Sequence, residues 1–249
     1  MGYIVLPKSY NLIGNKMKTK DLLFGGIIIL CFLPFFISES FYNGYTEYNG
    51  SHPYIMAFFK FAILATLGEV IGLRIKKGIY NEPGFGILPR AIIWGFLGMW
   101  IAVAMKTFSS GVPYLLQSFG IEGVPDAMKQ SLSMEKVFGA FFISVMMNTT
   151  FGPVFMTLHK ITDTQILQYG GKLTALIKPL PMGKILSSLN WNVQWGFVFK
   201  KTIPFFWIPA HTITFLLPGQ YQVLFAALLG VALGIILSIA AVMSRKNNN

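Results

Sequence analysis

The sequence predicts an all-α fold, a polytopic membrane helix bundle with about six transmembrane helices. Charged residues make up 12% of the 249 residues and apolar residues 54%, whereas soluble domains carry about 25% charged residues. Six apolar stretches come close to the length of about 20 residues that a spanning helix needs. The connections between these stretches alternate between basic and non-basic, as the positive-inside rule requires. We therefore interpret residues 1–249 as a single integral membrane domain.

The six predicted spans account for about half of the chain. They cover residues 22–38, 54–73, 88–106, 137–158, 195–217 and 222–243. A basic N-terminus at 1–21 precedes them, and a short tail at 244–249 follows. We expect both termini in the cytoplasm, because the basic connections then all lie on the cytoplasmic side. The fifth span is the least regular, since Pro204 and Pro209 must kink or interrupt it.

Composition and residue spacing argue against several function classes. The net charge of +11 comes largely from lysines at the ends of apolar runs, so it indicates membrane topology rather than nucleic-acid binding. Cys31 is the only cysteine, which excludes an intrachain disulfide. The three histidines have no metal-binding spacing, and no nucleophile elbow or pair of catalytic carboxylates is recognisable. We therefore expect no metal, no other cofactor and no enzymatic activity.

Glu69 is the residue that most strongly indicates a function. It lies inside the second predicted span, where an ionised carboxylate is expensive. Helical spacing places it on one stripe with Gly72, so we expect it to face a helix interface or a wet cavity rather than lipid. Two interpretations remain open. Glu69 either lines a polar pathway or pairs with Arg74, Lys76 or Arg90 near the end of its helix.

The fifth predicted span holds more polar residues than a membrane anchor needs. Lys200 and Lys201 are cytoplasmic flanks if the helix begins at Thr202. If the helix begins near Trp191 instead, both lysines lie within it and must face water or a carboxylate. His211 is either a group that titrates near neutral pH or a ring bonded to a backbone carbonyl.

Further residues have both a structural and a functional interpretation. Asn148, in the fourth span, either lines the same pathway or forms interhelical hydrogen bonds. The tryptophans Trp191, Trp195 and Trp207 are typical of interfacial anchors and packing residues, and the alternative is that they contact a ligand. In a pathway, Trp191 and Trp195 would order the cytoplasmic mouth.

Rows of small residues predict where helices pack closely. The residues are Gly95 and Gly98 in the third span, and Ala226, Gly230, Gly234 and Ser238 in the sixth. Spaced three or four apart, they let another backbone approach. We expect most of them to form contacts within the bundle, and some to form contacts between copies of the chain.

A set of short motifs is distributed over residues 52–243. It comprises His52-Pro53, Leu67-Gly68-Glu69, Arg90, Lys136, Pro153, Asn190-Trp191, Trp195 and Ile208-Pro209. In these motifs the chain resembles the Mpv-seventeen / twenty-two-kilodalton peroxisomal membrane protein family, small four-span proteins of organelle membranes. Glu69 stands where the family has an aspartate. The helix at 22–38 is additional, and the family's Trp-Pro becomes Trp195-Gly196, so the chain resembles a divergent relative.

The resemblance implies a membrane pore or channel for small solutes. We therefore hypothesise a small-solute or ion pathway lined by Glu69, Asn148, Lys200, Lys201 and His211. The expected location is the bacterial inner membrane or, alternatively, an organelle membrane. The alternative function is a non-transporting protein that binds lipid or protein partners, including further copies of itself.

Overall fold

A computed structural model of the chain describes residues 18–247, with side chains described through Met243. All regular structure in this range is helical, which confirms the all-α class. In chain order the helices are α1 (Thr19–Phe32), α2 (Pro34–Ile37), α3 (Glu39–Ser51), α4 (Pro53–Lys77), α5 (Ile87–Ser118), α6 (Val124–Ala127), α7 (Met134–Gln168), a 3₁₀-helix (Leu173–Leu176), α8 (Met182–Ser188), α9 (Trp191–Val193), a π-helix (Gln194–Trp207), α10 (Ile208–Leu216) and α11 (Gly219–Asn247).

Within the described residues, four helices are long and apolar enough to cross a membrane: α4, α5, α7 and α11 up to Met243. They correspond to the second, third, fourth and sixth predicted spans, and they support an integral membrane protein. Each is longer than expected from the sequence. The helix α5 continues beyond residue 106 because Val112, Pro113 and Leu116 are buried, so packing holds this last part in a helix despite the proline.

The other two predicted spans, 22–38 and 195–217, are helical but interrupted. In the first, α1 ends at Phe32 and Pro34 begins α2, since proline has no backbone N–H with which to continue the hydrogen-bond ladder. In the second, the π-helix passes directly into α10 at Ile208. Neither segment is one uninterrupted α-helix of spanning length. The number of six spans and the orientation of the termini therefore stay predictions.

The long helices pack in a ring. Each of α11, α4, α5, α7 and α10 contacts the next, and α10 returns to α11 through a short connection. The π-helix packs against α7 and α10. The buried apolar core includes Phe61, Ile101, Ile143 and Phe215, which come from four different helices of the ring. Side chains from four helices of the ring therefore meet in one interior.

Glycines bring α4 and α11 into backbone contact. A Cβ at Gly68 would lie 2.9 Å from Val231 Cα, and one at Gly72 would lie 2.8 Å from Ser238 Oγ. Because the later residue of α4 contacts the later residue of α11, the two helices run parallel. Gly234 contributes to the same contact, with Gly68 O 3.6 Å from the position of its Cβ. Close approach of this kind is what small residues permit in membrane helices.

The remaining small residues of the predicted rows differ in their surroundings. Gly95 and Gly98 face the rings of Phe58 and Phe61 on α4, which leave no space for a Cβ. Ala226 is buried in the core. At Gly230, by contrast, no described atom lies within 4 Å of the position of a Cβ.

The segment of α1 and α2 extends along the bundle from one end to the other. Asp21 Oδ2 pairs with Arg74 Nη2 at 2.7 Å, near the end of α4. Beyond α2, the hydroxyl oxygens of Tyr42 and Tyr221 lie 3.4 Å apart, and Tyr221 is in the first turn of the parallel helix α11. We call the end at which α4 ends and α5 begins the basic end, because the predicted cytoplasmic charges lie there.

Candidate functional site

The ring of helices surrounds a cavity of about 330 Å³, within the range of roughly 300–1,000 Å³ that is typical of small-molecule sites. Its wall is formed by α4, α5, α7, α10, α11 and the π-helix. Most of the lining side chains are apolar. The side chains with polar atoms are Glu69, Trp94, Asn148, His159, Lys160, Gln194, Thr202, Trp207 and His211.

A network of charged side chains borders the cavity at the basic end. Glu69 Oε2 accepts a hydrogen bond from Arg90 Nη1 at 2.6 Å, and Glu69 Oε1 accepts one from Trp94 Nε1 at 2.9 Å. His159 Nε2 lies 3.3 Å from Glu69 Oε1. Glu69 thus pairs with Arg90, one of its expected partners, and also belongs to the cavity lining. Its place in a pathway stays a prediction.

Arg90 is the centre of this network. Its guanidinium forms ion pairs with both Glu69 and Asp163, and its Nε donates to Phe85 O at 2.6 Å. The Arg90 side chain is 8% exposed. Lys160 adds a second cation, with Nζ 3.2 Å from Asp163 Oδ2. A buried cation thus joins carboxylates from α4 and α7, which is how a buried charge becomes tolerable.

The backbone at the start of α5 positions Arg90. Gly86, the residue before α5, has a φ of 72°, a conformation that favours glycine. A Cβ there would lie 2.7 Å from Gly171 Cα, so the two chains touch without room for a side chain. The start of α5 is thereby held against the segment that follows α7, which places Arg90 between Glu69 and Asp163.

A second polar group lies deeper in the bundle. Asn148 Nδ2 donates to Ser144 O at 2.8 Å, and the Asn148 Oδ1 to His211 Nδ1 distance is 3.1 Å. Ser144 Oγ donates to Ile208 O at 2.7 Å. Asn148 and His211 therefore join α7 to α10 and line the cavity at the same time. If Nδ1 donates to Asn148, the neutral His211 ring keeps Nε2 as an acceptor.

The π-helix forms one wall of the cavity. Its i→i+5 hydrogen bonds make a wider turn than those of an α-helix, a geometry that is rare and frequent at functional sites. Pro204 lies within it and would collide with the carbonyl four residues earlier in an α-helix, which favours the wider turn. Gln194, Val198, Thr202 and Trp207 recur at spacings of four and five and line the cavity.

The two lysines of this segment lie elsewhere. Lys200 and Lys201 are both exposed, and neither belongs to the cavity lining. The exposed Trp191 donates from Nε1 to Leu186 O at 3.0 Å, and Trp195 is 58% exposed. Among the predicted lining residues, the structure therefore brings Glu69, Asn148 and His211 together around the cavity and leaves the lysines outside.

The remaining residues of the sequence motifs have local roles. Asn190 Oδ1 accepts a hydrogen bond from Val193 N at 3.2 Å and so caps α9. Pro209 lies in the first turn of α10, where a proline is tolerated. Pro153 lies inside α7, which continues past it to Gln168. These residues shape the helices that surround the cavity, but they are not part of its lining.

Two buried hydrogen-bond donors of the π-helix were not singled out from the sequence as polar groups of a site. Gln194 Nε2 and Trp207 Nε1 have no hydrogen-bond partner among the described residues, and Gln194 is only 7% exposed. Leaving such a donor unsatisfied costs about 1–3 kcal/mol. A signal was present at Gln194, a polar residue between two tryptophans in an apolar run, since intramembrane polar residues are often functional.

Comparisons of the chain with family models, with curated proteins and with solved structures found no match. The resemblance to the Mpv-seventeen / twenty-two-kilodalton peroxisomal membrane protein family therefore stays a prediction. No cluster of three or more potential metal ligands occurs among the described residues.

Proposed function

We propose that this integral membrane protein provides a pathway for small solutes, and that the cavity within the ring of helices is the wide part of this path. The supporting observation is the length of the cavity. Its lining on α7 extends from Met147 to Lys160, which corresponds to about 20 Å along a helix at 1.5 Å per residue. This is about two thirds of the roughly 30 Å hydrocarbon thickness of a bilayer.

In this proposal the charged network is the gate at the basic end. Glu69 and His159 belong to the cavity lining. Arg90 and Asp163 do not, and Arg90 forms ion pairs with both Glu69 and Asp163. A solute that leaves the cavity here must displace or pass these side chains. The carboxylate of Glu69 then contributes to charge selectivity, as rings or clusters of acidic groups do in cation channels.

Flux through reconstituted liposomes tests the proposal. We would compare the native chain with Glu69→Gln for neutral, cationic and anionic solutes of graded size. The proposal predicts flux of small solutes through the native protein, and a several-fold change in the ratio of cation to anion flux in Glu69→Gln, because the substitution removes the charge at the gate.

Glu82→Gln is the matched control. It makes the same chemical change in an ion pair with Lys77, at 2.8 Å, whose members are not part of the cavity lining. Its flux should equal that of the native chain. Absence of native flux at every pH and potential would contradict the pathway, and unchanged selectivity in Glu69→Gln would remove Glu69 from it.

A second candidate function is supported by the apolar character of most of the wall. The same cavity would serve a protein that holds a lipid or other ligand without transporting it, or that assembles with partners in the membrane. In the most apolar 18-residue stretch of α11, only 17% is buried within the bundle. Most of this stretch is therefore available to lipid or to another copy of the chain. A stoichiometric bound lipid or protein, together with no flux, would favour this candidate.

A further inference from the structure

We propose that the cavity binds an elongated, mostly apolar molecule with a carbonyl oxygen at each end, and that Gln194 and Trp207 supply the hydrogen bonds that recognise these oxygens. The inference deepens the proposed function, since it names the chemical class of the solute, and in that sense it rests on the pathway. Binding is nevertheless measurable without transport, so the two can fail separately.

The unpaired atoms determine what the ligand must offer. Gln194 Nε2 and Trp207 Nε1 are both N–H donors, both are buried, and neither has a hydrogen-bond partner among the described residues. The indole N–H can only donate, so the group placed opposite Trp207 must be an acceptor. The free atom of Gln194 is likewise its amide nitrogen. The recognised groups are therefore acceptors, such as the oxygens of an ester, a carboxylate or a ketone.

The apolar wall determines the rest of the ligand. Phe151, Phe155 and Leu233 are among the many apolar side chains that line the cavity. Such a wall has few groups that could replace the hydration of polar atoms along the body of a ligand. An apolar body fits it, as in most small-molecule sites, where a few placed polar groups fix the orientation of a largely apolar ligand.

The π-helix sets the spacing of the two donors. Gln194 and Trp207 are 13 residues apart and lie at the two ends of the π-helix. In an α-helix, at 100° per residue, they would be about 140° apart around the axis. The wider turns bring both onto the cavity wall, at two levels separated by the length of the π-helix. One elongated ligand with an acceptor at each end would satisfy both donors.

Equilibrium dialysis of the purified protein against a radiolabelled medium-chain dicarboxylic acid diester tests this inference. The diester carries one carbonyl at each end of a saturated chain. We expect saturable binding to the native chain, and binding about threefold to tenfold weaker in Gln194→Leu and in Trp207→Phe, since each variant removes one hydrogen bond. An unlabelled alkane of the same length should compete much less effectively than unlabelled diester.

Thr212→Val is the matched control. Thr212 lies on the adjoining helix α10 and is not part of the cavity lining, and its hydroxyl donates to Ile208 O at 2.8 Å, so its removal should leave diester affinity unchanged. The melting temperature of each variant shows that it is folded. Absence of saturable diester binding to the native chain would overturn the inference, and so would native affinity in both Gln194→Leu and Trp207→Phe.

Nanodiscs distinguish two sources of such a ligand. If ester-linked bilayer lipid occupies the cavity, diester binding should be inhibited in ester-lipid nanodiscs and restored in nanodiscs of ether-linked lipid, which lacks ester carbonyls. If the ligand comes from water, binding should be equal in both. Either result supports the acceptor chemistry. Diester binding without solute flux would contradict only the proposed pathway. Solute flux without diester binding would contradict only the inference about the ligand.

Discussion

The two sides of the cavity differ in how completely their polar groups are satisfied. At the basic end, Glu69 accepts hydrogen bonds from Arg90 and Trp94, and Arg90 also pairs with Asp163. On the π-helix, Gln194 Nε2 and Trp207 Nε1 are buried without a hydrogen-bond partner in the described part of the chain. Both sets of residues line or border the same space.

This difference separates a structural role from a binding role. The Glu69 carboxylate on α4, with partners on α5 and α7, holds these three helices together, because removal of any one member leaves the others buried and unpaired. A buried donor that no protein group satisfies lowers the stability of the fold, and we propose that a ligand satisfies it. Substitutions on the two sides should therefore change stability in opposite directions.

The largest effect is expected from Arg90→Met. This substitution leaves Glu69 and Asp163 without the buried cation that joins them, so we expect a loss of about 3–5 kcal/mol in stability. Thermal unfolding in detergent, followed by tryptophan fluorescence, measures it as a lower melting temperature. Lys77→Met is the control, since Lys77 is 54% exposed in its pair with Glu82 and such pairs contribute about 0–1 kcal/mol. Equal shifts for the two variants would contradict the structural role of the network.

An effect of opposite sign is expected from Gln194→Leu without ligand. The substitution replaces a buried unpaired amide by an apolar side chain, which should raise stability by about 1–3 kcal/mol. The same unfolding experiment, on protein freed of lipid and diester, measures it. A clear loss of stability would mean that the amide has a structural partner, and the contrast between the two sides of the cavity would disappear.

The smallest effect concerns the contact between α1 and α4. The Arg74 guanidinium, with the Tyr80 hydroxyl, holds the pKa of Asp21 well below its usual range. Because this folded-state pKa is depressed, the stabilisation is complete above the ordinary carboxyl pKa of about 3.9 and decreases as the pH falls from there through the folded-state pKa. The protection of the α1 amides against hydrogen exchange, relative to the intrinsic exchange rate at each pH, should therefore decrease in acid for the native chain.

Asp21→Asn provides the comparison for this experiment. The variant lacks the carboxylate, so exchange in α1 should be faster at neutral pH and should show no additional step in acid. The network around Arg90 should be unaffected, since Asp21 belongs to a separate cluster. An identical pH profile for the native chain and the variant would show that Asp21 does not fasten α1.

The sequence was sufficient for the fold class and for part of the site. Hydropathy and charge patterns predict the four long helices, because both follow from the bilayer itself. Glu69 was recognisable since a carboxylate in an apolar helix needs a reason, and Arg90 was among its predicted partners. Asp163 and His159 were not predicted as partners, because they come from α7, about 70 to 95 residues away along the chain, and pair with residues of α4 and α5 only when the helices pack.

The π-helix explains why the residues of this segment that line the cavity differ from those expected. Lys200 and Lys201 were predicted to line the pathway because they are the charged residues of the fifth predicted span. Both are exposed in the structure. Gln194 and Trp207 line the cavity instead, although an α-helical wheel places them far apart. Sequence periodicity assumes one type of helix. A change from α to π geometry alters which side chains share a face of the helix. The hydrophobic pattern of the sequence does not predict that change.

The backbone contact between Gly68 and Val231 has a consequence for the synthesis of the chain. The two residues are 163 positions apart, and at about 5–20 residues per second a ribosome needs about 8 to 33 s to cover this distance. Arg90 follows Glu69 by only 21 positions, so it emerges within a few seconds at the same rate. The carboxylate of the nascent chain can therefore be neutralised early, whereas the glycine face of α4 cannot be covered until α11 is made. The translation order places charge pairing first and completion of the cavity wall last.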